Sequence, residues 1–364
     1  MKIFELIQAF ETIAPLSLQE DYDNSGLLVG NLQDEVTKVL LAFEITDAVL
    51  DEALQHHCDA IISHHPIVFK GLKKINGKNL PERAVIRAIQ NGIALIALHT
   101  NMDNVLDGTN SILAQKLGLK NLQVMQPLNQ SLQKLVVFVP QSHSELVQKA
   151  AFEAGAGHIG NYDQCGFTTS GTGSFRALEG AEPFVGSLNH IHLEPEIRFE
   201  TLFPSFLSQS VISAIKKVHP YEEPAFDLIA LQNKNEKWGA GILGELEHEM
   251  NELDFLHLLK SFNAGSNLRY SPLTGQKIKR VALCGGSGAF LIQKALQLKA
   301  HIFITGDVKY HDFFEPDGKM LIADIGHYES EHFILQLFIA LLKEKFPTFA
   351  VRNSEVNTNP VNYL

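Results

Sequence analysis

Along MKIFELIQAFETIAPL, Ile3, Phe4, Ile7, Phe10 and Ile13 recur at helical spacing, interrupted by Glu5, Gln8 and Glu11. The pattern predicts an amphipathic core helix, because a secretory leader would carry a continuously apolar centre. A turn-rich stretch, DYDNSGLLVG, follows, and the apolar KVLLAFEI reads as a strand. DAVLDEALQHH returns to helical spacing, and DAIISHH is the next strand. PERAVIRAIQNG is a helix with Pro81 near its start and Gly92 past its end. IALIALHTNMD then reads as a buried strand and DGTNSILAQKLGL as a further helix. Strand and helix alternate, which is the signature of an α/β arrangement.

The texture changes near Pro127. SLQKLVVFV is a strand, HSELVQKAAFEAGA a helix, and a long glycine-studded β-like region follows. HLEPEIRFETLF, FLSQSVISAIKKVH and FDLIALQ complete a strand–helix–strands–helix–strand order, which is ferredoxin-like. From about residue 232 the α/β rhythm resumes with the strand KIKRVALCGGSGAF, the helix LIQKALQLKA and the strands HIFITGD and KMLIADIG. A long final helix is expected over HYESEHFILQLFIALLKEKF. The expected organisation is an α/β core split into residues 1–127 and 232–364, with an α+β domain inserted at 128–231.

Bulk composition narrows the classes. At 364 residues the chain exceeds one ordinary core, and 45% hydrophobic with 20% charged residues is a soluble, globular balance. No run approaches the ~20 apolar residues that span a membrane. A formal charge of −11 argues against broad nucleic-acid binding. Cys58, Cys165 and Cys284 lie far apart with no CxxC spacing, so neither a disulfide framework nor a zinc ribbon is indicated. That usage suits a reducing cytoplasm.

Candidate chemistry gathers where strands end. In IISHHP, Pro66 cannot continue a ladder, so His64 and His65 fall where a strand gives way to a loop. Ligands bind at that end of the strands in open α/β sheets. Adjacent side chains on extended backbone point to opposite sides, which suits two metals better than one. His99 and Asp103 follow a strand in the same way, and so do Asp307 and His311. His327 and Glu331 are one helical turn apart and share a face. Imidazole and carboxylate are the ligands of zinc and similar divalent ions. Each piece alone has a plain structural reading: a solvated helical pair for His327 and Glu331, a cap for Asp103. CGGSG could cradle a phosphate, although a tight strand-to-helix turn explains it as well, and HPYEEPAFD reads as a stiff turn.

DNSGLLVG, DAIISHHP, HTNMD, ITGDVKYHD and GHYESE, in that order, resemble the Ngg-interacting factor three family, whose bacterial members are catalogued as GTP cyclohydrolase 1 type 2 homologues. The insert resembles the PII-like or CutA-like domain of the longer members. The resemblance implies two divalent ions per subunit: zinc first, with iron, manganese or another divalent ion as alternatives. It assigns His64 and His65 to one ion each, Asp103 to one ion, His327 to the other, and Glu331 to both. His99, Asp307 and His311 would line the same cleft. Glu44 stands where many members have aspartate and receives no ligand role. The resemblance further implies a ring-like homohexamer and metal-dependent hydrolysis of a nucleotide-type substrate. His99 is then the candidate for proton transfer or, equally, a histidine that orients Asp103 or another ligand. The alternative is a non-catalytic metal-binding scaffold or regulator.

Overall fold

The computed structural model describes residues 1–262 and 268–363. It divides into two compact units, Met1–Pro127 with Glu236–Leu364, and Leu128–Asn235. Among the described residues no helix is long and apolar enough to cross a membrane.

The first unit is built on two mixed sheets. In one, the strands Gly26–Val29, Ala94–Ala97, Ala60–Ser63, Lys38–Ala42 and Ala350–Asn353 lie side by side in that order. The last four run parallel, and Gly26–Val29 runs antiparallel at the edge. Ala60–Ser63 and Ala94–Ala97 are buried at every position, which is why they read as continuous apolar runs. The other sheet takes the order Arg269–Tyr270, Leu321–Asp324, Ile302–Thr305, Ile278–Leu283, Gly239–Met250 and Lys120–Pro127. Its three parallel strands, Ile278–Leu283, Ile302–Thr305 and Leu321–Asp324, form its centre.

Helices cover these sheets with the faces their spacing predicts. The N-terminal helix Ile3–Glu11 buries Ile3, Leu6, Ile7 and Phe10 but leaves Phe4 at the surface. The helix Leu80–Asn91 opens on Asn79, whose side chain accepts from the Glu82 N–H, and stops at Gly92 in the left-handed region. The final helix is two helices: His327–Glu331 is separate from Ile334–Lys345. The break falls where His332 stacks flat on Tyr328, with ring centroids 4.8 Å apart.

The second unit runs strand Leu132–Pro140, helix Ser144–Glu153, strands Gly166–Arg176 and Ile191–Pro204, helix Ser208–Val218 and strand Phe226–Ala230. Leu132–Pro140 is central, flanked by Ile191–Pro204 and Phe226–Ala230, and every pairing is antiparallel. Its core packs Val147, Val211 and Ile215 from the helices against Leu135, Phe199 and Phe203 of the sheet.

Pro127 stands opposite Gly239 in an antiparallel ladder of the first unit, so the intervening segment leaves and rejoins neighbouring rungs. Both sheets of the first unit are therefore complete without it. Replacing residues 128–235 by a short glycine–serine turn should leave a folded core that melts in one cooperative transition. Circular dichroism showing an unfolded or non-cooperative product would contradict this.

Candidate metal centre

The parallel strands of both sheets in the first unit deliver polar side chains at their carboxyl ends. At the end of Ala60–Ser63 the Ser63 hydroxyl donates to the His65 carbonyl at 2.7 Å, turning the chain just before Pro66. His64 is fully buried, with its ring stacked on Phe43 at 5.5 Å. Its Nδ1 lies 2.9 Å from the Leu98 carbonyl oxygen. A carbonyl can only accept, so Nδ1 carries the proton and Nε2 is left as the acceptor of a neutral ring. That Nε2 sits 3.7 Å from both Asp103 Oδ1 and Glu331 Oε2. All three atoms are buried without a hydrogen-bond partner. Three acceptors facing one another repel unless a cation lies among them.

A second group shares the same carboxylate. His65 Nε2 and His327 Nε2 lie 3.4 and 3.1 Å from Glu331 Oε2, and 3.3 Å from each other. His64, Asp103 and Glu331 thus form one set of donors that could hold a metal ion, and His65, His327 and Glu331 form another. His99 joins a third set with His64 and His65. The residue types and their convergence fit divalent cations.

Each ring is held from behind. Glu44 accepts from His65 Nδ1 at 2.5 Å and Asp307 from His327 Nδ1 at 2.7 Å. Asp23 takes His99 Nδ1 at 2.7 Å. Such partners fix ring orientation and tautomer, so every Nε2 points inward. Burial works against ionised Asp23, but donors from His99, Thr100 and Asn24 outweigh it and hold its pKa far below the carboxylate range.

The glycine turn makes room for the shared carboxylate. Gly285 and Gly286 donate their N–H groups to Asn110 Oδ1 and the Ser330 hydroxyl, and Gly288 donates to Thr305. Those amides are engaged, so CGGSG is a packing turn and not a phosphate cradle. A Cβ on Gly286 would fall 2.4 Å from Glu331 Oε1, and Gly286 has φ +59°. Only glycine fits both the space and the backbone.

The sequence-predicted residues His65, His99, Asp103, His327 and Glu331 line a cleft of about 950 Å³, with Asp307 on its wall and the buried His64 grouped with them. His311 does not join them; it is exposed and packs against Tyr310. The His99 ring makes no hydrogen bond to the Asp103 carboxylate among the described residues; its ring partner is Asp23. Glu44 and Asp23 are the members that motif reading left without a role. Glu44 follows the strand next to the histidine pair, and that adjacency of strand ends was the available signal.

Without a cation, Glu331 governs the charge of its neighbours. Burial opposes the imidazolium forms, yet the Glu331 and Glu44 carboxylates, as acceptors and negative charges, raise His65 to about 10. Glu331 and Asp307 likewise outweigh burial at His327 and raise it to about 9. Burial alone would raise Glu331, but the histidine rings around it, His327 first, hold it well below its ordinary value. Asp103, desolvated and facing Glu331, is shifted upward. In metal-free protein, NMR should find His65 and His327 still protonated at pH 8, and Glu331→Gln should lower both pKa values. Their stabilising contribution is complete below the ordinary 6.5 and is lost as pH rises through 9 to 10. Both rings titrating near 6.5 in the wild type would refute the assignment.

Over residues 1–360 the sequence matches the family described as Duf34/NIF3 (NGG1p interacting factor 3). It is 36% identical over 365 aligned positions to a Halalkalibacterium halodurans protein named GTP cyclohydrolase 1 type 2 homolog, covering 99% of this chain and 98% of that one. A Bacillus subtilis protein of the same name is 34% identical, with the same coverage of both chains. Among solved structures, a Bacillus cereus protein related to NIF3 matches 100% of this chain and 99% of its own, with a TM-score of 0.83 and 35% identity. A Staphylococcus aureus protein matches with a TM-score of 0.79, 30% identity and the same coverage. The chain belongs to the Duf34/NIF3 (NGG1p interacting factor 3) family.

Proposed function

We propose that the cleft is the dinuclear metal centre of a hydrolase acting on a nucleotide-type heterocycle, GTP being the substrate that the relatives' names suggest. The observation that carries this reading is the convergence of His64 Nε2, Asp103 Oδ1 and Glu331 Oε2, buried and unpaired, on a carboxylate that a second histidine pair shares. His64 and Asp103 would hold one ion, His65 and His327 the other, and Glu331 both. Nitrogen and oxygen donors without thiolate suit zinc, iron or manganese. When bound, such ions supply Lewis acidity to a substrate oxygen and acidify water.

The chain's own residues supply the rest. Glu44, Asp307 and the Leu98 carbonyl keep the three ligand rings aimed inward. His99, its Nδ1 proton held by Asp23, presents Nε2 as a proton acceptor, and the ionised Asp23 stabilises the imidazolium that forms. Burial, then the nearby Asp103 and Glu331, push the Cys284 thiol up, so it is no nucleophile. Phe69, Phe290 and Tyr363 line the cleft as surfaces for a planar base. Arg269, anchored by Asp324 and the Val308 carbonyl, supplies a cation on the same wall.

Elemental analysis of protein loaded with defined metals should find two ions per chain in the wild type and none in Glu331→Ala. With those preparations, a nucleotide panel should show turnover that His99→Ala lowers by about 10²–10⁴-fold while both ions stay. Full metal occupancy in Glu331→Ala would sink the centre, and loss of metal in His99→Ala would make that residue a ligand. Metal-replete wild type that turns over nothing in the panel would leave a non-catalytic metal-binding scaffold or regulator.

The family likeness also supports a cytoplasmic, ring-like homohexamer. The β–α–β–β–α–β order and all-antiparallel sheet of the second unit support a ferredoxin-like, PII-like insert at about 128–231. Light scattering of the intact protein should give the mass of six chains, and a monomeric mass would remove the ring.

A further inference from the structure

A second hollow, of about 860 Å³, lies wholly within the Leu128–Asn235 unit and takes no part in the metal centre. Its floor is Glu196, only 8% exposed, on the strand Ile191–Pro204. One carboxylate oxygen, Oε1, accepts from the Tyr221 hydroxyl at 2.8 Å. The other, Oε2, has no hydrogen-bond partner among the described residues. Space for it is cut into the neighbouring strand: a Cβ on Gly173 would stand 2.2 Å from Oε2. A largely buried carboxylate whose donor is a neutral phenol has no charged partner among the described residues.

Nothing on the walls supplies that charge. Arg198 is turned to Glu200, with its Nε 2.9 Å from the carboxylate, and its guanidinium lies over the Phe138 ring. His219 accepts from the Tyr221 N–H through Nδ1 and donates from Nε2 to the Phe138 carbonyl, so its ring is neutral. Burial, then Glu196, push the Tyr221 phenol up, so it remains a protonated donor. Glu222 and Glu223 add further negative charge to the lining. Phe175 and Phe184 stand 6.0 and 6.4 Å from the Tyr221 ring, giving aromatic walls around the carboxylate. This is where the HPYEEPAFD turn places its tyrosine and acids.

We propose that this hollow binds a small organic cation bearing N–H donors, such as an amidinium or a primary ammonium, with Glu196 as its counter-ion. The N–H donates to Glu196 Oε2, and the cationic body packs between Phe175, Phe184 and Tyr221, whose ring faces attract positive charge. Three cheap comparisons test it on the intact protein by titration calorimetry. Benzamidine should bind once per chain with a Kd of about 1 mM or tighter, and benzoate should not bind. Glu196→Gln keeps an acceptor for Tyr221 but removes the charge, and should weaken benzamidine at least about tenfold. Phe184→Ala, at a half-exposed wall position that the fold does not need, should weaken it too. Neither variant should change the metal content of the protein. Equal binding of benzoate, unchanged affinity in Glu196→Gln, or no saturable benzamidine binding at about 10 mM would overturn the proposal.

Discussion

A carboxylate sealed from water among imidazoles is the constraint around which the core is arranged. Glu331 Oε2 lies within hydrogen-bonding or ion-pair range of three rings, and the surrounding protein donates nothing else to it. Placing a charge there costs several kcal/mol of desolvation unless opposite charge compensates. Imidazolium at His65 and His327 does so in metal-free protein, and divalent cations fit the same space. Protons and metal ions therefore compete for one set of nitrogens, and metal affinity should rise with pH.

That arrangement requires two sheets rather than one. Glu44, His64, His65, His99 and Asp103 follow the ends of strands in one sheet, while Gly285, Asp307, His327 and Glu331 follow the ends of strands in the other. A single open sheet offers one row of strand ends, and here two rows meet at a spacing of a few ångströms. Backbone must come unusually close for this, which explains the Gly285–Gly286 pair against Glu331. The carboxylates behind the rings come from the ends of adjacent strands: Glu44 follows Lys38–Ala42, beside the strand that carries His65, and Asp307 follows Ile302–Thr305, beside the strand that precedes His327.

Much of the candidate cluster could be read from sequence because each pair is local. His64 and His65 are adjacent, His99 and Asp103 are four apart, and His327 and Glu331 share a helical face. The ring-holders are not local. Glu44 lies 21 residues from His65, and Asp23 lies 76 from His99, so no spacing rule connects them. Fully buried strands announced themselves as apolar runs, whereas Ala350–Asn353, half-exposed at a sheet edge, carries no such run. The continuous hydrophobic pattern of the last helix concealed its break, since a ring stack at His332 leaves the apolar spacing intact.

Buried acids elsewhere in the chain show what a purely structural carboxylate looks like. Glu252 receives the Thr274 N–H and hydroxyl on one oxygen and the Gly275 N–H on the other. Glu82 is capped by Asn76, Lys78 and Asn79, and Glu52 by Ser354, Glu355 and Arg352. Each is saturated by nearby donors and tacks a loop to its own neighbourhood. Glu331 and Asp103, by contrast, each keep a buried oxygen without a hydrogen-bond partner among the described residues. An unsatisfied buried acceptor costs about 1–3 kcal/mol, more when charged, so a fold retains it only where something outside the chain completes it. By that criterion the candidate centre in the core stands apart from these structural acids: two sets of donors that could hold a metal ion meet on one carboxylate.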